Sequence, residues 1–285
     1  MTDPLSAASA TTQAAASATV VVAGTETLPI IHRDEWLIAV HKPSGLLVHR
    51  SVLDWHEERF ALQILRDQIG RHVHPVHRLD KGTSGVLLFA LDRETAALAA
   101  GAFERQAVEK TYLAVVRGHP PEAGTIAHPL TRRFDDAERR AVEAAEAAPQ
   151  AAVTHFRRLA TAELPYRVDR YPNSRYALVA LTPETGRRHQ IRRHLKHVSH
   201  PIIGDATFGK GRHNRLFTEL FGCSRMLLAC TRLCLSHPRT GQPLVLEAAP
   251  ADDFTAVADA LGWTGALQHM TPDTDGILPA PFCSR

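Results

Sequence analysis

The stretch from His77 to Leu91, HRLDKGTSGVLLFAL, constrains the fold of this chain more than any other. Val86–Leu91 is a continuous apolar run, too short for an ordinary helix and lacking the polar alternation of a half-solvated strand. That pattern predicts a buried strand. A charged turn leads straight into it, with Asp80 close to Arg78 and Lys81 and glycines at 82 and 85. The glycines let the backbone turn sharply and approach another group closely. The neighbouring cations keep the Asp80 carboxyl ionised even where water is excluded. An isolated Asp-Lys-Gly turn reads more simply as an Asp making a local hydrogen bond. By itself, then, the stretch predicts a buried strand with a carboxylate at its entrance.

The flanking segments supply partners for that strand. Leu37–Val40 and Gly45–His49 are β-rich pieces separated by the turn Lys42-Pro43-Ser44-Gly45. Glu58–Ile69 reads as a helix with Leu62, Leu65 and Ile69 on one stripe, and Asp92 caps a second helix running to about Gln106. Strands are predicted at Lys110–Arg117, with Tyr112 in its middle, and at Val153–Leu159, Ser174–Leu181, Met226–Leu235 and Leu244–Glu247. Arg188–Val198 is helical through Ile191, Leu195 and Val198, and a last helix covers about 252–261. Strands and helices do not alternate strictly, so the expected class is α+β. Residues 1–24 and 264–285 read as loose tails around a domain at 25–263, and 133–151 as a surface excursion.

Composition narrows the function classes. At 285 residues with 44% hydrophobic and 22% charged residues, the chain is an ordinary globular protein, neither fibre nor coiled coil. No apolar run approaches the ~20 residues of a membrane span. The polar Ala/Thr-rich start is not a secretory signal, and four cysteines do not make a disulfide framework, so the expected location is cytoplasmic. Residues 187–232 hold ten Lys/Arg and two acids, Asp205 and Glu219. That net of +8 leaves −5 for the rest of a chain whose total is +3. Such a block is either a solvated basic face or the footprint of a polyanion.

The Asp80 stretch resembles the catalytic motif of the RluA-type pseudouridine synthases, in which H-R-L-D leads into T-S-G and an apolar strand. Four further segments match that family in order: Lys42–His49, Glu109–Ala114, Thr185–Arg192 and His200–Asp205. The resemblance covers about residues 27–250. It implies a mixed, mainly antiparallel sheet flanked by helices and loops, and an RNA-modifying isomerase. It assigns Asp80 as the catalytic carboxylate, Arg192 as its salt-bridge partner and Tyr112 as the platform stacking on the target base. Ile191 would pack beneath the base and Arg78 would fill the space left by the flipped nucleotide. Lys42, Lys196 and the cluster Arg187, Arg188, His189, Gln190 and Arg193 would hold RNA phosphates. Isomerising uridine releases no atoms, so no cofactor and no metal are expected. The expected partner is RNA, with no membrane and no obligate protein partner, and the protein is expected to be a monomer. The run from Arg187 to Pro201 resembles the branch acting on uridine-65 of tRNA; ribosomal RNA is the alternative target.

Competing motifs are weaker. Gly204–Gly211 nearly spells a P-loop, but Gly211 lacks the hydroxyl that would hold Mg²⁺, and no apolar helix is evident after it. Cys230 and Cys234 lie four apart in a strand, not at a zinc spacing. His194, His197 and His200 share their segment with three cations and read as RNA contacts or core. A noncatalytic RNA-binding protein would not need Asp80, Tyr112 and Arg192 together. A hydrolase would need Asp80 paired with Glu184 or Asp205.

Overall fold

The computed structural model describes residues 26–50, 57–131 and 148–268. The tail expected over 1–24 and most of the 133–151 excursion lie outside them.

Among the described residues ten strands form one sheet: β1 (Ile30–Arg33), β2 (Leu37–Lys42), β3 (His74–Pro75), β4 (Ser84–Ala90), β5 (Glu109–Arg117), β6 (Ala123–Ala127), β7 (Val153–Leu164), β8 (Ser174–Pro183), β9 (Leu228–Ser236) and β10 (Pro243–Glu247). Their order is β1-β2-β4-β9-β5-β8-β7-β6, with β3 on β4 and β10 on β9. Among the described residues only the β4–β9 strand pair is parallel, so the sheet is mixed and mainly antiparallel, in an α+β fold. The apolar run is strand β4 as predicted. Val86, Leu87, Leu88, Phe89 and Ala90 are all fully buried, in a core shared with β2 and with α1 (Ala61–Ile69).

The β4–β9 pairing depends on Gly85. Its φ is +108°, and a Cβ there would lie 2.0 Å from the carbonyl oxygen of Cys230 on β9. Only glycine admits that contact, and it brings the Asp80 turn against the centre of the sheet. Helix α2 (Arg93–Glu104) starts at the predicted cap, where the Asp92 carboxylate accepts from the Thr95 amide at 2.8 Å. Helix α3 (Gln190–His197) packs Ile191 and Leu195 on one side of the sheet. Helices α4 (Gly211–Phe221) and α5 (Asp252–Ala260) pack Phe217, Phe254 and Val257 in another core cluster, against strand residues such as Leu113 and Leu178.

Several expectations are corrected. Gly45–His49 is not a strand, because the carbonyls of Leu47 and Val48 accept from the amides of Ala61 and Leu62 and so finish the start of α1. Helix α4 does follow Lys210; its buried Leu216 and Phe217 were masked by Arg212, Arg215 and Glu219. The P-loop reading fails on other grounds. Gly211 still lacks a hydroxyl, and a Cβ on Gly204 would sit 1.9 Å from the Arg225 carbonyl oxygen, so that loop is packed on protein. Residues 264–268, expected loose, form α6 (Thr264–Gln268), with Ala266 and Leu267 on the core. Short strands β1, β3 and β6 carry too few residues to show a period.

Candidate active site

Asp80 sits on the turn entering β4, its side chain 21% exposed. That turn is strapped to the segment after β2. The Lys42 ammonium donates to the carbonyls of Pro43 (2.8 Å), Leu46 (2.7 Å) and Lys81 (3.2 Å). The Ser44 hydroxyl donates to the Gly82 carbonyl at 2.7 Å, and the Gly45 amide to the Lys81 carbonyl at 2.8 Å. Lys42 is 0% exposed, and burial pushes its pKa down to about 7. It therefore cannot reach a phosphate, which corrects its expected role. Lys42 holds the Asp80 turn in place.

Arg192, in the first turn of α3, carries the second carboxylate interaction. Its Nη1 donates to Asp80 Oδ2 at 3.0 Å. Its Nε and Nη2 form a fork on Asp205, at 2.7 and 2.9 Å. The expected salt bridge to Asp80 is thus made through a single N–H, and the fork belongs to Asp205. Asp205 Oδ1 also accepts the amides of Thr207 and Phe208, and its side chain is 0% exposed. Burial alone would raise the Asp205 pKa, but the hydrogen bonds from Arg192 and Phe208 hold it below the ordinary carboxylate range. The guanidinium is anchored from behind and presents one N–H to Asp80. Sequence reasoning missed this anchor, although the His200–Asp205 match marked the segment.

Tyr112 lies in β5 directly opposite Cys230 of β9, just after a bulge. Its phenol hydrogen-bonds the Cys230 thiol, and burial raises its pKa well above that of free tyrosine, so it stays protonated. A cavity of about 300 Å³ brings together Arg78, Asp80, Tyr112, Ile191, Arg192 and Leu228. A second opening, of about 630 Å³, adjoins it across Asp80, Arg78, Arg188, His189 and Arg192. His189 has a left-handed backbone (φ 56°) at the start of α3 and places Nε2 3.8 Å from Asp80 Oδ1. Burial lowers the imidazole pKa against the opposing pull of Asp80. The expected catalytic triplet, together with Arg78 and Ile191, thus converges on one pocket.

The remaining cluster divides. Gln190 is buried: its amide donates to Val153 O and Thr154 Oγ1, and its oxygen accepts from Thr185 and Arg187. It ties α3 to β7 and its amide atoms are all engaged by protein partners, so it holds no phosphate, a correction to its expected role. Arg187 donates to the Ala151 carbonyl and Arg193 to that of Thr131, both near the surface, and Lys196 is exposed beside the Phe208 ring. The basic block is also less basic in space than in sequence. Arg192 meets Asp205, Arg225 meets Asp253, and Arg232 meets Glu109 and Glu247. His194 is fully buried between Thr154 and the His128 carbonyl, so it belongs to the core. Glu184 is 48% exposed on His155 and does not line the cavity, while Asp205 is held by Arg192. The carboxylate pair required by a hydrolase is absent among the described residues.

The family model of RNA pseudouridylate synthases matches residues 36–197, a span that contains Asp80, Tyr112 and Arg192. The chain belongs to that family. This pseudouridine synthase is 46% identical over 243 residues to the tRNA pseudouridine synthase C of Yersinia pestis, an alignment covering 85% of this chain and 94% of the relative. It is 47% identical over 241 residues to the protein of that name from Vibrio cholerae, covering 84% and 98%. Among solved structures, Human RNA Pseudouridylate Synthase Domain Containing 1 superposes with a TM-score of 0.62 at 28% identity, over 88% of this chain and 98% of that one. The synthase is thus an isomerase acting on RNA.

Proposed function

We propose that this synthase converts a uridine of tRNA, uridine-65, to pseudouridine, with Asp80 as the group that starts the reaction. The observation that carries this reading is Asp80 at the mouth of a base-sized pocket, held by an Arg192 that Asp205 fixes from behind. The carboxylate either adds to C1′ of the ribose or takes its 2′ proton. Both routes break the C1′–N1 bond and leave its electron pair on the detached uracil. The base turns and C5 bonds to C1′, which releases the Asp80 carboxylate in the first route and returns the proton to C2′ in the second; the C5 proton is then lost and N1 takes one up. Arg192 keeps Asp80 aimed through its Nη1 contact. Tyr112 supplies a stacking face, with its phenol held by Cys230. Ile191 and Leu228 make the apolar walls, and Arg78, exposed at the rim, takes the place of the flipped nucleotide.

Flipping a uridine out of a stem costs a few kcal/mol, roughly, which phosphate contacts offset. Arg187, Arg188, Arg193 and Lys196 are the cations placed for those contacts. The tRNA assignment is supported by the names of the relatives at 46–47% identity. It implies a cytoplasmic enzyme, and the state proposed for it is a monomer. Mapping pseudouridine in total RNA from a strain lacking the protein tests it. Loss at tRNA position 65 is expected; loss at a ribosomal RNA position instead would overturn the tRNA assignment.

A further inference from the structure

Lys110 is a buried cation for which the reaction outlined above has no use. The residue is 8% exposed and lies in the wall of the Asp80 cavity, two positions before Tyr112 on β5. Among the described residues its ammonium makes no hydrogen bond and no ion pair; Glu109 beside it is taken by Arg232. This contrasts with Lys42, which is also buried but whose ammonium is satisfied by three carbonyls. Leaving a cation in the interior without an acceptor is unfavourable, and folding alone gives no reason to keep it there. A pocket wall does give one, if the missing acceptor arrives with the substrate.

The surrounding groups define what that acceptor is. The Cys230 thiol on β9 is pushed up to about 12 by burial, and the His77 imidazole beside β4 is pushed down to about 3, so both are neutral. The Tyr112 phenol is neutral too. Asp80, the carboxylate lining the cavity, is already engaged by Arg192, and His189 lies on the Asp80 side. Lys110 therefore offers an uncompensated positive charge in a place where the target base must sit. The reaction generates one anion there: when C1′–N1 breaks, the electron pair stays on uracil and spreads over N1, O2 and O4.

We propose that Lys110 is a catalytic residue that binds the detached uracil anion, through hydrogen bonds from its ammonium to a carbonyl oxygen of the base. This rests on the synthase reading of the site. No proton need be transferred by Lys110: the charge appears as the C1′–N1 bond breaks and disappears when the electron pair forms the C5–C1′ bond. Stabilising a charge that is absent from the ground state lowers the barrier without tightening substrate binding. Burial also lowers the Lys110 pKa, so its charge is lost at a pH below the ordinary lysine range.

The test uses the full chain and its tRNA substrate, reading single-turnover rate and RNA affinity separately. Lys110→Met keeps the apolar stem and removes the charge. Its rate is expected to fall at least ~100-fold, with RNA affinity within about threefold of wild type. Wild type should also lose rate as pH rises through the depressed Lys110 pKa, whereas Lys110→Arg, charged throughout, should lack that alkaline fall. A Lys110→Met rate near wild type would overturn the proposal, as would an affinity loss that accounts for the whole effect. If Lys110→Met does not fold, Lys110→Arg decides, and an alkaline fall unchanged from wild type would overturn it. Wild type forming no pseudouridine in the tRNA would instead sink the functional reading itself.

Discussion

Two aspartates share one guanidinium, and their substitutions should separate by what each oxygen touches. Asp80 is partly exposed and receives a single N–H; Asp205 is fully buried, with both its oxygens accepting. Asp80→Asn is expected to abolish pseudouridine formation while leaving the melting temperature and RNA affinity almost unchanged. Asp205→Asn should lower turnover and stability together, because breaking a buried ion pair costs about 3–5 kcal/mol. Thermal unfolding alongside a tritium-release assay separates the two. Arg192→Lys should fall at least ~100-fold in turnover, about 2.7 kcal/mol of barrier. An ammonium is a point charge and cannot hold the Asp205 fork and the Asp80 contact at once. Turnover of that variant within threefold of wild type would refute the shared-guanidinium arrangement.

At the scale of elements, the site depends on how β4 and β9 approach each other. Gly85→Ala would place a methyl group 2.0 Å from the Cys230 carbonyl oxygen, at a φ of +108°. Backbone on both sides leaves no flexible neighbour to yield. The variant is expected to lose about 4 kcal/mol or more, or to give no folded protein, as read by chemical denaturation. The turn before β4 also sets an acid limit. His77 Nε2 accepts the Leu88 amide at 3.0 Å, and burial holds its pKa down to about 3. In the unfolded chain it titrates near 6.5. Between about pH 6.5 and 3 the unfolded state binds one proton more at this residue, so stability falls as the pH drops. His77→Gln should flatten that part of the stability profile; an unchanged slope in urea titrations from pH 7 to 4 would contradict the assignment.

For the whole molecule, charge counted along the chain overstates the charge available to a ligand. Arg225 and Arg232 belong to the basic block, yet each is engaged by carboxylates from other parts of the fold. Lys196, exposed on α3, is placed to meet a phosphate. Lys196→Ala should reduce the slope of log affinity against log salt by about 0.7 for single-stranded contacts or about 0.9 for duplex ones. Arg232→Ala should leave the slope unaltered and lower stability instead. Salt titrations of RNA binding with both variants check this, and equal slopes for both would mean that the face carrying Lys196 does not hold RNA.

The sequence by itself determined the buried strand Val86–Ala90, the Asp92 cap, the stripe of α3 and the α+β class. Each depends on neighbours within one or two turns, where period and side-chain chemistry act directly. It also marked Asp80, Tyr112 and Arg192, because their motifs are contiguous. What it left open are the relations between segments far apart. Lys42 and Arg192 are both cations in matched motifs, yet one is closed off by three carbonyls and the other divides its N–H groups between Asp80 and Asp205. Gln190 carries no mark of whether it faces RNA or β7, and Lys110 none of whether it has a partner. Those outcomes depend on which strands the sheet sets side by side, above all on β9 being inserted between β4 and β5. That insertion places Cys230 against Tyr112 and lets Gly85 bring the Asp80 turn over the pocket. Burial and satisfaction of a polar group are properties of its surroundings in space, so only the tertiary structure decided them.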